Sequence, residues 1–540
     1  MRTKLLRPLT AFAALFLLSF TGCGPKPAKT TGTKPKILHL GNGAEPQDLD
    51  PQTVTGMPEH KLLTALFEGL VSEDPKDLHP EPGLASSWDI SLDHLVYTFH
   101  LRPGLRWSNG DPLNAHDFIH SYQRILSPEL ASEYSYLLWY VVGAEEFNKG
   151  QLKDFSQVGF KAVDDLTLQI TLKNPTPWLL QLMASHYTWK PVPTQVIEKF
   201  GPINRSRTNW TRAGNHVGSG PYMLKEWLPQ QKIIVVRNPH YWDAQTVKVD
   251  EIHFYPTEDL NTEERMFRTG QLHMTYELPS AKIEVYRKEY PESLRIDPYL
   301  GVYFYRCNVT RPPLNDKRVR RALALSIDRE SLVRNVVRGG QEASYAISYP
   351  GTAGYTPRAR LHEDLAEARR LLAEAGYPDG KGLPPIELQY NTQDNHRAIA
   401  ETLQQMWRQN LGAEVVLRNL EWKVYIDAEH RSDFTLSRGG WIADYIDPDV
   451  FLSIWITGNT NNNTLWSNAT YDQLYLDSLK APDNASRYEI YQKMDVLLLE
   501  EMPVIPLYNY KKIYALSPKV KGWYPTLLDS HPYKYLDLEE

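Results

Sequence analysis

The sequence predicts an α/β protein of more than one domain, and three observations carry that prediction. At 540 residues the chain is longer than a single hydrophobic core organises. From Ile37 to the C-terminus, short apolar runs of period two alternate with stretches of helical period. Finally, Ile386-Glu-Leu388-Gln-Tyr390, a helical stretch around Met406 and Trp407, and Val415-Val416-Leu417 read as strand, helix, strand, which places parallel strands in one sheet.

The first residues stand apart. Residues 1–8 are basic and Leu9 through Phe20 are nearly all apolar, too short a run to span a bilayer but built as a secretory leader. It ends in Phe20-Thr21-Gly22-Cys23, which resembles a bacterial lipoprotein processing site, with Phe20 where Leu is usual. The resemblance implies a signal peptide over 1–22 and Cys23 as a lipidated first residue. Residues 24–36, rich in Pro, Lys, Thr and Gly, complete a flexible tether over 23–36. No other segment is apolar and long enough to cross a membrane, so the expected body is soluble and exported.

Leu38-His-Leu40 predicts a strand, and Gly56-Met57-Pro58 opens a helix running through Leu66 and Phe67. Leu84–Trp88 and Val96–Leu101 form a hairpin-like pair; Asn109-Gly110 is a turn before a helix over Ala115–Arg124. Alternation over 166–172 predicts another strand. Gly218-Ser-Gly220 is glycine-rich, but without a Lys-Ser/Thr ending and with Pro221 next it is no phosphate loop. Asp297 to Tyr305 reads as a strand passing between domains. Asn315 or Asp316 caps a helix bearing Val319, Leu323 and Ile327, Asp328-Arg329 starts the next, and Gly376 closes one over Ala366–Ala375. Val504 to Tyr510 is a late strand crossing back to the first domain.

Charge and cysteine content narrow the function. The net charge is −6, and the leader holds three of the positive residues, so the body is acidic. That argues against nucleic acid, which needs a basic face. The 32 Tyr and 14 Trp suit ligand walls, although most such residues simply pack. Cys307 has no partner once Cys23 is used as an anchor, so it is expected as a small buried hydrophobe and no disulfide holds the fold. No Gly-x-Ser-x-Gly, His-Glu-x-x-His or Cys-His constellation appears, which sets a secreted peptidase aside, and neither metal nor cofactor is expected.

One stretch organises the rest. Phe434 and Leu436 alternate with Thr435 and Ser437 as a half-buried strand, which runs into Gly439-Gly440, where missing side chains let another backbone approach. Asp447 is an expected helix cap with Pro448 at the first helical position, before the apolar Val450, Phe451 and Ile454. Trp441 and Asp444 then fall in a short strand-to-helix connection. A loop Asp taken singly is more often a turn residue, but beside an aromatic plate this carboxylate can hold a ligand ammonium by a charge-assisted bond.

The whole string, Arg438-Gly-Gly-Trp441-Ile-Ala-Asp444-Tyr-Ile-Asp-Pro, closely resembles the ligand-gripping segment of bacterial oligopeptide-binding proteins, the solute receptors of peptide ABC importers. Trp107-Ser-Asn-Gly-Asp-Pro112 with Asp117-Phe118, and Asn238-Pro-His-Tyr241-Trp242, resemble the same family, and the likeness runs from about residue 37 to the end. It implies a two-lobed, hinged periplasmic-binding-protein fold with an inserted domain: lobe I over 37–67, 193–300 and 511–540, the insert over 68–192 and lobe II over 301–510. It also implies that Asp444 pairs with a peptide ammonium, that Gly440 and Trp441 offer a strand edge, and that Tyr134, Trp422, Trp441, Tyr276 and Tyr510 line the ligand. Met57 matches a residue whose backbone pairs with the peptide, and Arg438 and His396 match groups that meet its carboxylate. The partners implied are short peptides, ABC permease subunits and, through Cys23, a membrane, with the receptor a monomer; dipeptides, nickel complexes or oligosaccharides are alternative ligands of the same fold. Several positions depart from the family. Gly301 and Ile442 replace a cysteine pair, Thr55 an acid, Glu429 a basic residue and Val337 a Lys beside Arg338.

Overall fold

The computed structural model describes residues 34–539; the leader, Cys23 and most of the tether, and with them the processing-site and lipidation expectations, lie outside the described residues. Among the described residues no helix is long and apolar enough to cross a membrane.

The period-two runs fold into three main sheets. Ile37–Gly41 pairs in parallel with Glu251–Tyr255, and Lys232–Arg237 and Tyr222–Leu228 follow in antiparallel register. Leu38, Leu40, Ile252 and Phe254 are buried, as alternation on a covered face requires. The second sheet is antiparallel throughout, in the order Ala85–Ile90, Val96–Leu101, Thr167–Thr171, Phe160–Asp164. There Tyr97, Phe99, Leu168 and Ile170 point inward while Ser86 and Ser87 face solvent.

The third sheet has six strands in the order Glu342–Ala343, Val504–Ala515, Leu294–Cys307, Leu436–Ile442, Ile386–Asn391, Val415–Leu420. Ile386–Asn391 runs parallel to both of its neighbours, and the helix Asp394–Leu411 makes the crossover expected from the sequence. Ile399, Leu403 and Trp407 cover the sheet at helical spacing, and the Trp407 indole donates to the Leu323 carbonyl at 2.9 Å.

The two expected crossing strands are longer than their apolar runs suggest. Leu294–Cys307 and Val504–Ala515 pair over most of their lengths. At one end they lie in the six-stranded sheet. At the other, Met274 bridges to Leu516 and also to Leu40 of the four-stranded sheet that holds Ile37–Gly41. The fold is thus two-lobed, with these strands passing from lobe to lobe.

The stretch around Asp444 differs in detail from its sequence reading. The strand is Leu436–Ile442, so Trp441 belongs to it and only Asp444 lies in the connection. Register with the neighbouring strand carries the ladder beyond the glycines, pairing Tyr303 with Gly440 and Val302 with Trp441. Nor does a backbone fill the space at the glycines. A Cβ on Gly439 would meet the Phe304 ring at 2.8 Å, and one on Gly440 the Tyr510 hydroxyl at 2.6 Å. The following helix is a single turn, Asp449–Leu452, with Pro448 at its cap. Asp447 accepts the Asp449 N–H at 3.0 Å, as a capping side chain does, but it is also buried against Arg487 at 2.6 Å. Asp449 is more than a turn residue: it is fully buried and accepts the hydroxyls of Tyr140, Tyr445 and Tyr491. The helix begun at Arg329 is likewise one turn, Arg329–Leu332, continuing into a wider-wound turn to Val337.

Candidate functional site

Between the lobes lies a cleft of about 260 Å³, and all ten ligand-binding residues expected from the sequence stand on its wall. They come from distant parts of the chain. Met57 opens the helix Met57–Leu66, Tyr134 precedes a short helical turn, and Tyr276 lies in a bend two residues after the bridging Met274. His396 and Trp422 sit in the first turns of Asp394–Leu411 and Trp422–His430. Tyr510 is on a crossing strand.

Asp444 is 13% exposed at its side chain, and its Oδ2 has no hydrogen-bond partner among the described residues. The nearest basic group is His186, whose Nε2 lies 3.6 Å from Oδ1. Burial pushes that imidazole well below its ordinary range, so it is neutral and no counter-ion. Burial likewise raises the Asp444 carboxyl to about 8. The loop itself is held firmly: Ser185 donates to the Asp444 carbonyl, and the Ile446 N–H donates to Gln181 Oε1 at 3.0 Å. A carboxyl held in place without a cation is poised to accept one.

Beside it runs an open strand edge. Leu436–Ile442 is paired along its length with Leu294–Cys307 on one side, but on the other it meets Ile386–Asn391 only at Leu436 and Ser437. From Arg438 onward that second edge has no strand partner among the described residues, and Arg438, Gly440, Trp441 and Ile442 face the cleft. An extended ligand can add there as a strand, with bonds that ignore side-chain identity.

The aromatics shape the walls. Trp422 reaches across to the start of Met57–Leu66, where a Cβ on Gly56 would touch its ring at 2.8 Å. Tyr134 packs edge-on against His186 with centroids 4.5 Å apart. Tyr276 carries the Lys512 ammonium 4.2 Å from its centroid. The Tyr510 hydroxyl accepts from Arg438 at 2.9 Å in front of Gly440.

At the basic end the two expected residues differ. The Arg438 guanidinium lies 5.0 Å from the Tyr303 ring centre and donates to Asn391 and Tyr510, with no carboxylate in ion-pair range among the described residues. His396 is buried beside the Tyr303 hydroxyl, and burial together with the Arg438 charge drives its imidazole well below the ordinary range. It therefore faces the cleft as a neutral ring and not as a cation.

The departures from the family have physical partners. Glu429 is buried in a 2.6 Å ion pair with Arg306, itself on the cleft wall. Thr55 meets His430 Nε2 at 3.3 Å, and His430 Nδ1 meets Glu133 at 2.7 Å. Gly301 and Ile442 do stand opposite each other in register, but the Ile442 side chain fills the space a Cβ on Gly301 would take. Val337 lines the cleft; Arg338 is exposed and is not among the lining residues. Sequence reasoning missed Arg306, His186, Glu258, Glu277 and Lys511. The first had a faint signal, an Arg inside the aromatic run Tyr303-Phe304-Tyr305; the others had none.

A two-lobed α/β chain with a polar-ended, aromatic-walled cleft at its hinge has the build of an extracellular solute receptor. Residues 79–463 match the family model for bacterial extracellular solute-binding proteins, family 5 (middle region). The chain belongs to that family. It is 36% identical over 523 residues to the periplasmic oligopeptide-binding protein OppA of Salmonella typhimurium, covering 94% of each chain. Among solved structures, Haemophilus influenzae OppA in complex with the peptide RPPGFSPFR matches with a TM-score of 0.88 at 31% identity, over 94% of this chain and all of that one. The Escherichia coli murein tripeptide-binding protein MppA matches at 0.89 and 31% identity, over 94% and 99%. The unliganded open form of MppA, at the same identity over 94% and 98%, matches at only 0.62. Equal coverage with a lower score means that the lobes here are arranged more as in the peptide complex than as in that open form.

Proposed function

We propose that this protein is an exported receptor that captures short peptides in the closed cleft and passes them to the membrane subunits of an ABC importer. Asp444 takes the peptide ammonium, the open edge from Arg438 to Ile442 pairs with its amides, and Arg438 receives its carboxylate. The single observation that supports this most is the pairing of a largely buried carboxylate without a charged counter-ion and a strand edge without a partner, both among the described residues. Main-chain capture of this kind leaves side-chain identity largely free. The sheets support lobe I as 37–67, 193–300 and 511–540, the insert as 68–192 and lobe II as 301–510. In this reading the protein acts as a monomer tethered through lipidated Cys23, and Cys23→Ser yields a folded protein missing from the membrane fraction. Lipid-labelled mutant recovered with membranes would contradict the anchor.

The test of the ligand reading is a double-mutant cycle. Asp444→Ala leaves a peptide ammonium buried and unpaired, which costs about 2–5 kcal/mol of affinity. N-terminal acetylation of the peptide does comparable harm, and the two changes are non-additive because they delete one interaction. Calorimetry on the four combinations decides. Equal wild-type affinity for free and acetylated peptide would remove Asp444 from its role as ammonium anchor.

A further inference from the structure

The loop that carries Asp444 is gripped by a helix 259 positions earlier in the chain. That helix, Leu179–Ser185, lies in the stretch proposed as the insert, whereas Asp444 to Asp449 lie in the stretch proposed as lobe II. Gln181 and Ser185 are one helical turn apart, so both polar groups leave the same face of the helix. The Ser185 hydroxyl donates to the Asp444 carbonyl, and the Ile446 N–H donates to Gln181 Oε1 at 3.0 Å. Just ahead of the helix the Trp178 ring stacks on Tyr445, with centroids 6.0 Å apart and planes 5° from parallel. Tyr140 completes the contact, donating its hydroxyl to Asp449 at 3.0 Å.

These bonds are built to be given up. The Ser185 hydroxyl also lies 2.9 Å from the Gln181 carbonyl, the acceptor one turn back in its own helix. Its single proton serves one acceptor at a time, so it has a substitute when Asp444 moves away. Asp449 Oδ2 keeps the Tyr445 hydroxyl at 2.6 Å when Tyr140 leaves. Gln181 and Ile446 are only half-buried, so solvent can take over their bond. What separation does change is the anchor. Among the described residues the polar contacts of Asp444 are to Ser185 and His186, both outside lobe II. A carboxylate that is to meet an ammonium in a water-poor cleft must be held in place beforehand, because a misplaced partner leaves both charges desolvated and unpaired.

Resting on the peptide reading above, we propose that Ser185 and Gln181 are positioning residues, which fix the Asp444 loop from across the cleft and so give the site its preference for a free peptide amine. The probes are tri-alanine and N-acetyl-tri-alanine. Calorimetry carried to millimolar peptide gives the ratio of their affinities for wild type, Ser185→Ala, Gln181→Met, Gln181→Glu and the Ser185→Ala, Gln181→Met pair. Wild type prefers the free amine. Ser185→Ala and Gln181→Met each lower that preference about three- to tenfold, as the loss of one hydrogen bond allows, and the pair lowers it further. Gln181→Glu, which keeps an acceptor for the Ile446 N–H, retains the preference. A loss shared equally by both peptides marks a role in closure or stability alone and overturns the assignment. Wild type that binds both peptides equally, or neither, defeats the ammonium-anchor reading and this assignment with it. A wild-type preference that Asp444→Ala abolishes but the pair leaves untouched defeats this assignment alone.

Discussion

Asp444, the proposed ammonium anchor, shows how placement changes the chemistry of one carboxyl. An exposed aspartate ionises near 4, but here burial holds the group to about 8 while His186, the nearest base, stays neutral. Between those two values the folded protein keeps a proton that the unfolded chain has released, so this group lowers stability steadily as pH rises from about 4 to about 8. An arriving ammonium reverses the preference, because the ion pair favours the charged carboxylate. Peptide binding at pH 7 therefore expels up to about one proton. Affinity climbs with pH until the peptide's own amino group begins to lose its proton near about 8. Calorimetry in two buffers of different ionisation enthalpy reads the proton directly. Wild type with no proton release at pH 7, or Asp444→Ala with undiminished release, would be incompatible with this account.

At the scale of elements, the Leu436–Ile442 strand does two jobs on its two edges. One edge is a full ladder to the crossing strand Leu294–Cys307; the other opens to the cleft after Ser437. Glycine at 440 makes room for the Tyr510 hydroxyl, which in turn positions Arg438. Gly440→Ala places a methyl 2.6 Å from that oxygen. Such overpacking costs about 1–3 kcal/mol, and the displaced Tyr510 releases Arg438. Denaturant unfolding and peptide calorimetry should both report a loss. A Gly440→Ala protein equal to wild type in both would show that this close approach does not matter. The neighbouring one-turn helix draws its firmness from elsewhere, since Asp449 gathers three tyrosine hydroxyls and Asp447 an arginine.

For the whole molecule the arrangement of the lobes is stitched by contacts between elements far apart in sequence. His430 meets both Glu133 and Thr55, Tyr140 donates to Asp449, and Gln393 and Asn395 both donate to Glu277. Each such bond is worth only about 0.5–3 kcal/mol net, the upper part of that range where a charged carboxylate takes part, a scale that a hinge can give up and recover. Without ligand the lobes are expected to open about the two crossing strands, and peptide should close them. X-ray scattering then shows a radius of gyration that falls on adding saturating peptide. An unchanged scattering curve with peptide demonstrably bound would rule out ligand-driven closure.

The sequence by itself determined the α/β class, the parallel strand–helix–strand unit and the two crossing strands, because alternation of apolar residues is a local property that any burying sheet obeys. Through its family resemblance it also pointed to the ten residues that meet in the cleft. Only the tertiary structure decided what those residues are there. His396 is a neutral ring because the fold buries it beside Arg438. Glu429 is not a stray acid, since Arg306, 123 positions earlier, is brought to 2.6 Å from it. Lys511 joins the site although nothing near it in sequence marks it. The reason is physical: charge state and pairing depend on which groups lie within a few ångströms and how much water remains, and long-range contacts set both.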